Sequence, residues 1–189
     1  MIENLFPTPI YYSLLSNVEE VQEELTNCIN LLEFSMNDQW GKTHYLSDPT
    51  FKTNLIQKYN LNVFRKTLDA HLTNYCNEMG LSCKPYQISS SWISLFKKDN
   101  YGHIHNHGGV DMSGVYYFKT NEDDGKIFFL CPTPSMESSF LYQDLAIRWE
   151  HKPMVGKLLL FPGWLSHGIQ TNKTDNDRIS LSFNINFLR

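Results

Sequence analysis

Arg178-Ile-Ser-Leu-Ser-Phe-Asn-Ile-Asn-Phe187 alternates without a break. Ile179, Leu181, Phe183, Ile185 and Phe187 fall on one face, and Arg178, Ser180, Ser182, Asn184 and Asn186 on the other. Successive side chains of an extended chain point to opposite sides, so this is a strand with one face in a core and the other against water or a polar cavity. Upstream, from Tyr86 onward, short runs rich in Ile, Val, Phe, Tyr and Ser are broken by turn residues at about ten-residue intervals, the pattern of a sandwich or barrel. Strands are expected at 87–97, 112–120, 125–131, 141–150, 156–161, 166–171 and 178–187. Leu5-Phe-Pro-Thr-Pro-Ile-Tyr-Tyr-Ser13 reads as an edge strand, because proline is confined to edges and strand ends.

The first part of the chain has a different period. Val18, Val21, Leu25, Cys28, Ile29 and Leu32 recur at three- and four-residue spacing, with Glu19, Glu20, Glu23 and Glu24 near the front. That spacing predicts an amphipathic helix over 17–33, with Asn17 as N-cap and early acids that complement the helix dipole. A second helix is expected over 62–79, with Phe64, Leu68, Leu72, Tyr75 and Met79 as its apolar stripe and Gly80 just past its end. The expectation is therefore a mainly β (α+β) chain of one domain over 1–189. Residues 1–83 supply an edge strand and helices packed on one side; residues 84–189 form the β core.

The chain has 189 residues, 41% of them hydrophobic and 14% aromatic, which is enough to build a core and too apolar for disorder. A net charge of −4 with scattered Lys and Arg argues against nonspecific nucleic-acid binding. No apolar run approaches the roughly 20 residues of a membrane helix, and the first residues lack the pattern of a signal peptide. Cys28, Cys76, Cys83 and Cys131 show no Cys-x-x-Cys spacing and are expected to be reduced and buried in a cytoplasmic protein.

The chemistry is concentrated in two segments. Tyr101-Gly-His-Ile-His-Asn-His107 places His103, His105 and His107 at alternate positions, and Leu158-Leu-Leu-Phe-Pro-Gly-Trp-Leu-Ser-His167 places a further histidine after a Pro-Gly turn. Neutral imidazoles are ligands for iron, zinc, copper and nickel. His105 and His107 share a face of extended chain, and His167 is the candidate third ligand. Arg178 opens its strand eleven residues later, placed to bind a carboxylate bidentately, with the Ser180 hydroxyl two positions on and the Tyr117 phenol as a further donor. His103 reads as surface or as a support to the ligands. His44, His71 and His151 have no partners in the sequence and read as ordinary surface or helix residues. Trp92, Trp149 and Trp164 read as core or pocket walls, and Tyr116 and Tyr117 must face opposite ways.

His105-x-His107, Ser113-Gly-Val-Tyr-Tyr117, Leu159-Leu-Phe-Pro-Gly-Trp-Leu-Ser-His167 and Arg178-Ile-Ser-Leu-Ser-Phe-Asn184, with Leu5-Phe-Pro-Thr-Pro9 and Ser91-Trp-Ile-Ser94, together resemble a small family of 2-oxoglutarate/Fe(II)-dependent oxygenases of marine bacteria and phages. The resemblance implies a double-stranded β-helix (jelly-roll, cupin-like) core, and Fe(II), 2-oxoglutarate and O2 acting on an unidentified substrate with release of succinate and CO2. It also implies a cytoplasmic setting, in a bacterium or a phage-infected host, with an oligomer left open. Carried over by position, it makes His105, His107 and His167 the metal site and Arg178 and Ser180 the 2-oxoglutarate site. The wider superfamily has an acid where this chain has His107. Three readings follow: a three-histidine site, Asp111 as the carboxylate ligand, or His107 behind the ligands. The alternative functions are a cupin-like three-His metalloenzyme that does not use 2-oxoglutarate, and a non-catalytic jelly-roll binding module. Substrate specificity is expected to come from 17–80, 97–102 and 132–142.

Overall fold

Residues 178–187 form the middle strand of the larger of two antiparallel sheets. The computed structural model describes residues 6–38, 41–145 and 148–188. In chain order the elements are β1 (Tyr11–Leu14), α1 (Val18–Ile29), β2 (Ser35–Met36), β3 (Tyr45–Leu46), α2 (Leu55–Lys58), α3 (Asn62–Glu78), β4 (Tyr86–Phe96), β5 (Gly102–His105), β6 (Met112–Lys119), β7 (Ile127–Phe129), β8 (Trp149–His151), β9 (Lys157–Pro162), β10 (His167–Ile169) and β11 (Arg178–Phe187).

The seven-stranded sheet has the order β1-β9-β6-β11-β4-β3-β2, and the four-stranded sheet the order β5-β10-β7-β8. From β4 to β11 the chain passes back and forth between the sheets, which makes the core a double-stranded β-helix. The crossing matters for the site, because β5, β10 and β11 all deliver residues to one end of the gap between the sheets.

The alternation of β11 separates two environments. Leu181, Phe183 and Ile185 are wholly buried and pack with Val21, Leu25, Phe64, Leu68 and Leu72 of the helices on the outer face of the large sheet. Each such side chain contributes about 1.5–3 kcal/mol by leaving water, and Leu68→Ala would cost about 2–5 kcal/mol, since the site could close only in part. Glu24 joins the helices: its carboxylate accepts from the backbone N–H of Val63 (2.8 Å) and Phe64 (2.9 Å), satisfying donors that the start of α3 leaves open. Between the sheets lies a smaller apolar cluster of Val115, Tyr117, Ile127, Phe129, Leu159, Phe161 and Leu165.

Several expectations change. The strand expected over 141–150 is confined to Trp149–His151; Pro134–Ser138 and Gln143–Leu145 are short 3-10 helices, and Ala146 and Ile147 lie outside the described residues. Proline at 134 removes a ladder donor and favours a helical start. The strands expected over 125–131 and 166–171 shorten to three residues each, and the dipeptide strands β2 and β3 and the single turn α2 carry no periodic signal. Asn17 precedes α1 but makes no side-chain cap; its amide donates to Thr67 Oγ1 at 2.9 Å. Gly80 does end the second helix, at φ +67°. β1 forms the expected edge, paired with β9, after Pro7 and Pro9; Leu5 lies outside the described residues. All four cysteines are free, yet only Cys28 and Cys76 are buried, with Cys83 exposed and Cys131 half-buried. Trp92 is buried, whereas Trp149 and Trp164 are mostly exposed.

Candidate metal centre and its cavity

Backbone pairing brings the distant histidines together. His167, the first residue of β10, is directly opposite His105, the last of β5. His107 lies two residues beyond β5, where its N–H donates to the Gly163 carbonyl at 2.8 Å and ties it to the turn before β10. A Cβ at Gly163 would fall 2.5 Å from the Val110 carbonyl oxygen, so glycine is what lets the two turns touch. The imidazole centroids are 4.4 Å (His105–His167), 5.0 Å (His105–His107) and 5.2 Å (His107–His167) apart. Their candidate donor atoms all lie within 4.8 Å of one another.

The hydrogen bonds decide which nitrogens face inward. His105 Nδ1 is 2.8 Å from the His103 carbonyl, and His167 Nδ1 is 2.9 Å from the Leu165 carbonyl. A carbonyl can only accept, so each Nδ1 carries the proton and each Nε2 is the nitrogen with a lone pair to offer a metal. Burial pushes His167 down to about 3 and His107 down to about 4, with the charge of His105 adding to both; burial also lowers His105. All three are neutral at pH 7, the form that binds metal. His103 is exposed and supports His105 through its backbone.

Asp111 stands outside this group. Its carboxylate accepts from the Phe187 N–H at 2.8 Å, fastening the turn before β6 to the end of β11. Tyr116 and Tyr117 do face opposite ways: Tyr116 packs among the helices, and Tyr117 lies between the sheets.

A cavity of about 260 Å³ opens among the three histidines and is walled by His44, Trp92, Phe96, Tyr117, Ile127, Phe161, Ile169 and Arg178. Arg178 is 1% exposed. Its guanidinium is 4.2 Å from the Phe96 ring centroid and 5.9 Å from that of Tyr117, and one NH1 hydrogen bond runs to the Gly125 carbonyl at 2.8 Å. Arg178 Nε is buried with no hydrogen-bond partner. Burial lowers the Arg178 pKa, while Tyr117 and Asp124 act to raise it. Burial pushes the Tyr117 phenol up to about 12, so it remains a donor at neutral pH.

Ser180 differs from its expected place. It is buried between cross-strand neighbours Ser94 and Tyr117 and is not part of the cavity wall, whereas Ser94, Ser182 and Asn184 are. A bulge between Ile179 and Ser180 shifts the register there. His44, expected at the surface, is 8% exposed and lines the cavity. Asp124 is wholly buried beside Arg178, its carboxylate held by Thr120 Oγ1 (2.7 Å) and the Asn121 N–H (3.0 Å). The Asp124-Gly125 pair is a turn signal that could have been found; nothing local marks His44.

Three neutral imidazoles beside a buried cation with an open donor suit a metal with an anionic ligand. Residues 90–184 match the family model described as "Putative 2OG-Fe(II) oxygenase". The chain belongs to that family. Its cofactors are Fe(II) and 2-oxoglutarate, and the donor set and the open Arg178 nitrogen fit both. The fold is shared with solved structures of low identity. The alpha-ketoglutarate-dependent epimerase SnoN from nogalamycin biosynthesis is 13% identical at a TM-score of 0.68, over 95% of this chain and 79% of that one. HygX from Streptomyces hygroscopicus, solved with nickel and 2-oxoglutarate, is 13% identical at 0.65, over 95% and 83%. A Pseudomonas putida prolyl-4-hydroxylase is 14% identical at 0.60, over 96% and 94%. No curated protein sequence matches the chain.

Proposed function

We propose that the protein oxidises, by hydroxylation, a C–H bond of a substrate yet to be identified, with His105, His107 and His167 holding Fe(II) and Arg178 holding the far carboxylate of 2-oxoglutarate. The observation that carries this reading is the partnerless Nε of Arg178, wholly buried in the cavity that the three histidines share. A buried guanidinium short of one acceptor is costly, and a carboxylate would supply that acceptor with charge. Bound together, the two cofactors supply the oxidising chemistry, in which O2 and 2-oxoglutarate are consumed and succinate and CO2 released.

The protein's own residues position these groups. The His103 and Leu165 carbonyls hold the Nδ1–H tautomer of His105 and His167, which leaves Nε2 as the ligand atom of each. Phe96 stacks on the guanidinium, and the Gly125 carbonyl holds one of its nitrogens, while Nε is left buried without a partner. Tyr117, Ser94 and Ser182 line the same cavity, so the Tyr117 phenol would offer a hydrogen bond and Ser94 and Ser182 would take the hydroxyl role first expected of Ser180. Phe161, Ile127 and Ile169 exclude water from the space between, which strengthens each electrostatic contact. With four free cysteines, a reducing cytoplasm is the setting we infer. No helix among the described residues is long and apolar enough to cross a membrane.

Anaerobic addition of 2-oxoglutarate to the Fe(II)-loaded protein should raise a weak visible charge-transfer band, absent in Arg178→Ala. A full-strength band in Arg178→Ala would overturn the assignment.

A further inference from the structure

Outside the segment that matches the family model, two residues line the cavity, His44 and Phe51, and His44 is the polar one. His44 immediately precedes β3, which pairs with β4 so that Tyr45 faces Leu95 and Leu46 faces Ser94. Continued by one residue, this register sets His44 beside Phe96, and Phe96 is in turn the cross-strand partner of Arg178. The side chains follow the backbone. The His44 imidazole stacks on Phe96 with centroids 4.4 Å apart and planes 4° from parallel, and the Arg178 guanidinium is 4.2 Å from the same ring. His44, Phe96 and Arg178 thus form a row across the inner face of the large sheet.

His44 is held on one side only. Its Nδ1 is 3.0 Å from the Thr43 hydroxyl, which is itself buried. Among the described residues its Nε2 has no hydrogen-bond partner, and the ring lines the cavity together with Arg178 and His105. A Thr43 hydroxyl that donates to Nδ1 puts the proton on Nε2 and makes that edge a donor. Burial first, and then the charge of Arg178, bring His44 down to about 4, so this donor is uncharged at neutral pH.

We propose that His44 is a positioning residue for the dicarboxylate cosubstrate, donating from Nε2 to a carboxylate oxygen of 2-oxoglutarate as it spans from Arg178 to the histidine cluster. The inference rests on the reading of Arg178 given above and extends it to a part of the chain that the family model does not cover. It gives the N-terminal region a role beyond covering the sheet: β3 pairs with β4 and brings a donor to a site whose other polar walls come from the jelly roll. An uncharged donor adds directionality without adding a second buried cation, whose desolvation would be costly.

The test is anaerobic calorimetry of 2-oxoglutarate binding to the Fe(II)-loaded full chain. His44→Phe keeps a stacking ring and removes both nitrogens. His44→Asn keeps a polar group on the Thr43 side only, and His44→Gln places an amide N–H near the position of Nε2. The expected result is binding weakened about tenfold to a hundredfold in His44→Phe and His44→Asn, the range for a hydrogen bond to a charged group. His44→Gln should recover most of that loss, with Fe(II) affinity unchanged in all three. Wild-type affinity in both His44→Phe and His44→Asn overturns the proposal. An equal loss in all three variants also overturns it, because that pattern belongs to packing on Phe96. Arg178→Ala run alongside separates the two claims. If it too binds normally, the 2-oxoglutarate site itself is wrong; if it alone loses binding, only the role of His44 falls.

Discussion

Gly125→Ala should loosen both the fold and the grip on the cosubstrate. Gly125 has φ +100°, and a Cβ built there would lie 2.3 Å from the Gln170 carbonyl oxygen and 3.1 Å from its carbon. Forcing an alanine into left-handed backbone costs roughly 1–2 kcal/mol, and relieving overpacking against a rigid backbone costs typically about 1–3 kcal/mol more. The sum of roughly 2–5 kcal/mol corresponds, for a chain of this size, to a fall in melting temperature of about 4–20 °C. The second effect is specific to the site. The Gly125 carbonyl accepts from Arg178 NH1 at 2.8 Å, so moving the turn removes the contact that orients the guanidinium. Differential scanning calorimetry should show the destabilisation, and titration of the folded variant below its transition should show weaker 2-oxoglutarate binding with metal affinity kept. A variant that melts with wild type and binds 2-oxoglutarate equally well would refute the steric reasoning and the role given to this carbonyl.

Arg178→Lys keeps the charge but not the planar fork, and should weaken 2-oxoglutarate binding by about 1–3 kcal/mol without changing Fe(II) affinity; unchanged calorimetric affinity counts against bidentate binding. His105→Ala and His167→Ala should each abolish Fe(II) binding. His107→Ala should lose the metal while Asp111→Ala keeps it, and the opposite pair of results by metal analysis would return the ligand role to Asp111. Asp48 gives a pH-dependent test away from the site. Burial would raise its pKa, but hydrogen bonds from Thr50 and Thr53 outweigh that and bring it from 3.8 to about 2. A lowered folded-state value means the stabilisation is full above about pH 4 and is lost as pH falls toward 2. After allowance for solvent screening it is worth about 1 kcal/mol, so urea melts of wild type and Asp48→Asn should differ at pH 6 and converge near pH 2.

Much of the site was legible because its parts are locally encoded. His105 and His107 sit two residues apart, His167 follows a Pro-Gly turn, and Arg178 opens an unbroken alternation; the period of two and the chemistry of imidazole and guanidinium need no tertiary information. The two long helices were legible for the same reason, since their apolar spacing repeats over several turns.

What the sequence by itself determined was the period of each long element and the kind of atom each polar face offers. Tertiary structure decided which of those atoms meet. The pairing of β10 with β5 sets His167 opposite His105, while Asp111 accepts from the Phe187 N–H and lies outside the histidine cluster. The register break opposite Ile179 and Ser180 falls in β6, where Phe118 is the extra residue, and of the two serines on that face of β11 only Ser182 lines the cavity. His44 depends on it most: a two-residue strand has too few positions to show a period, and only its pairing with β4 carries that histidine from an apparent surface loop to the side of Phe96. The physical reason is range. Periodicity and turn chemistry act between neighbours in sequence, whereas strand register is set by hydrogen bonds and packing between segments that the sequence holds far apart.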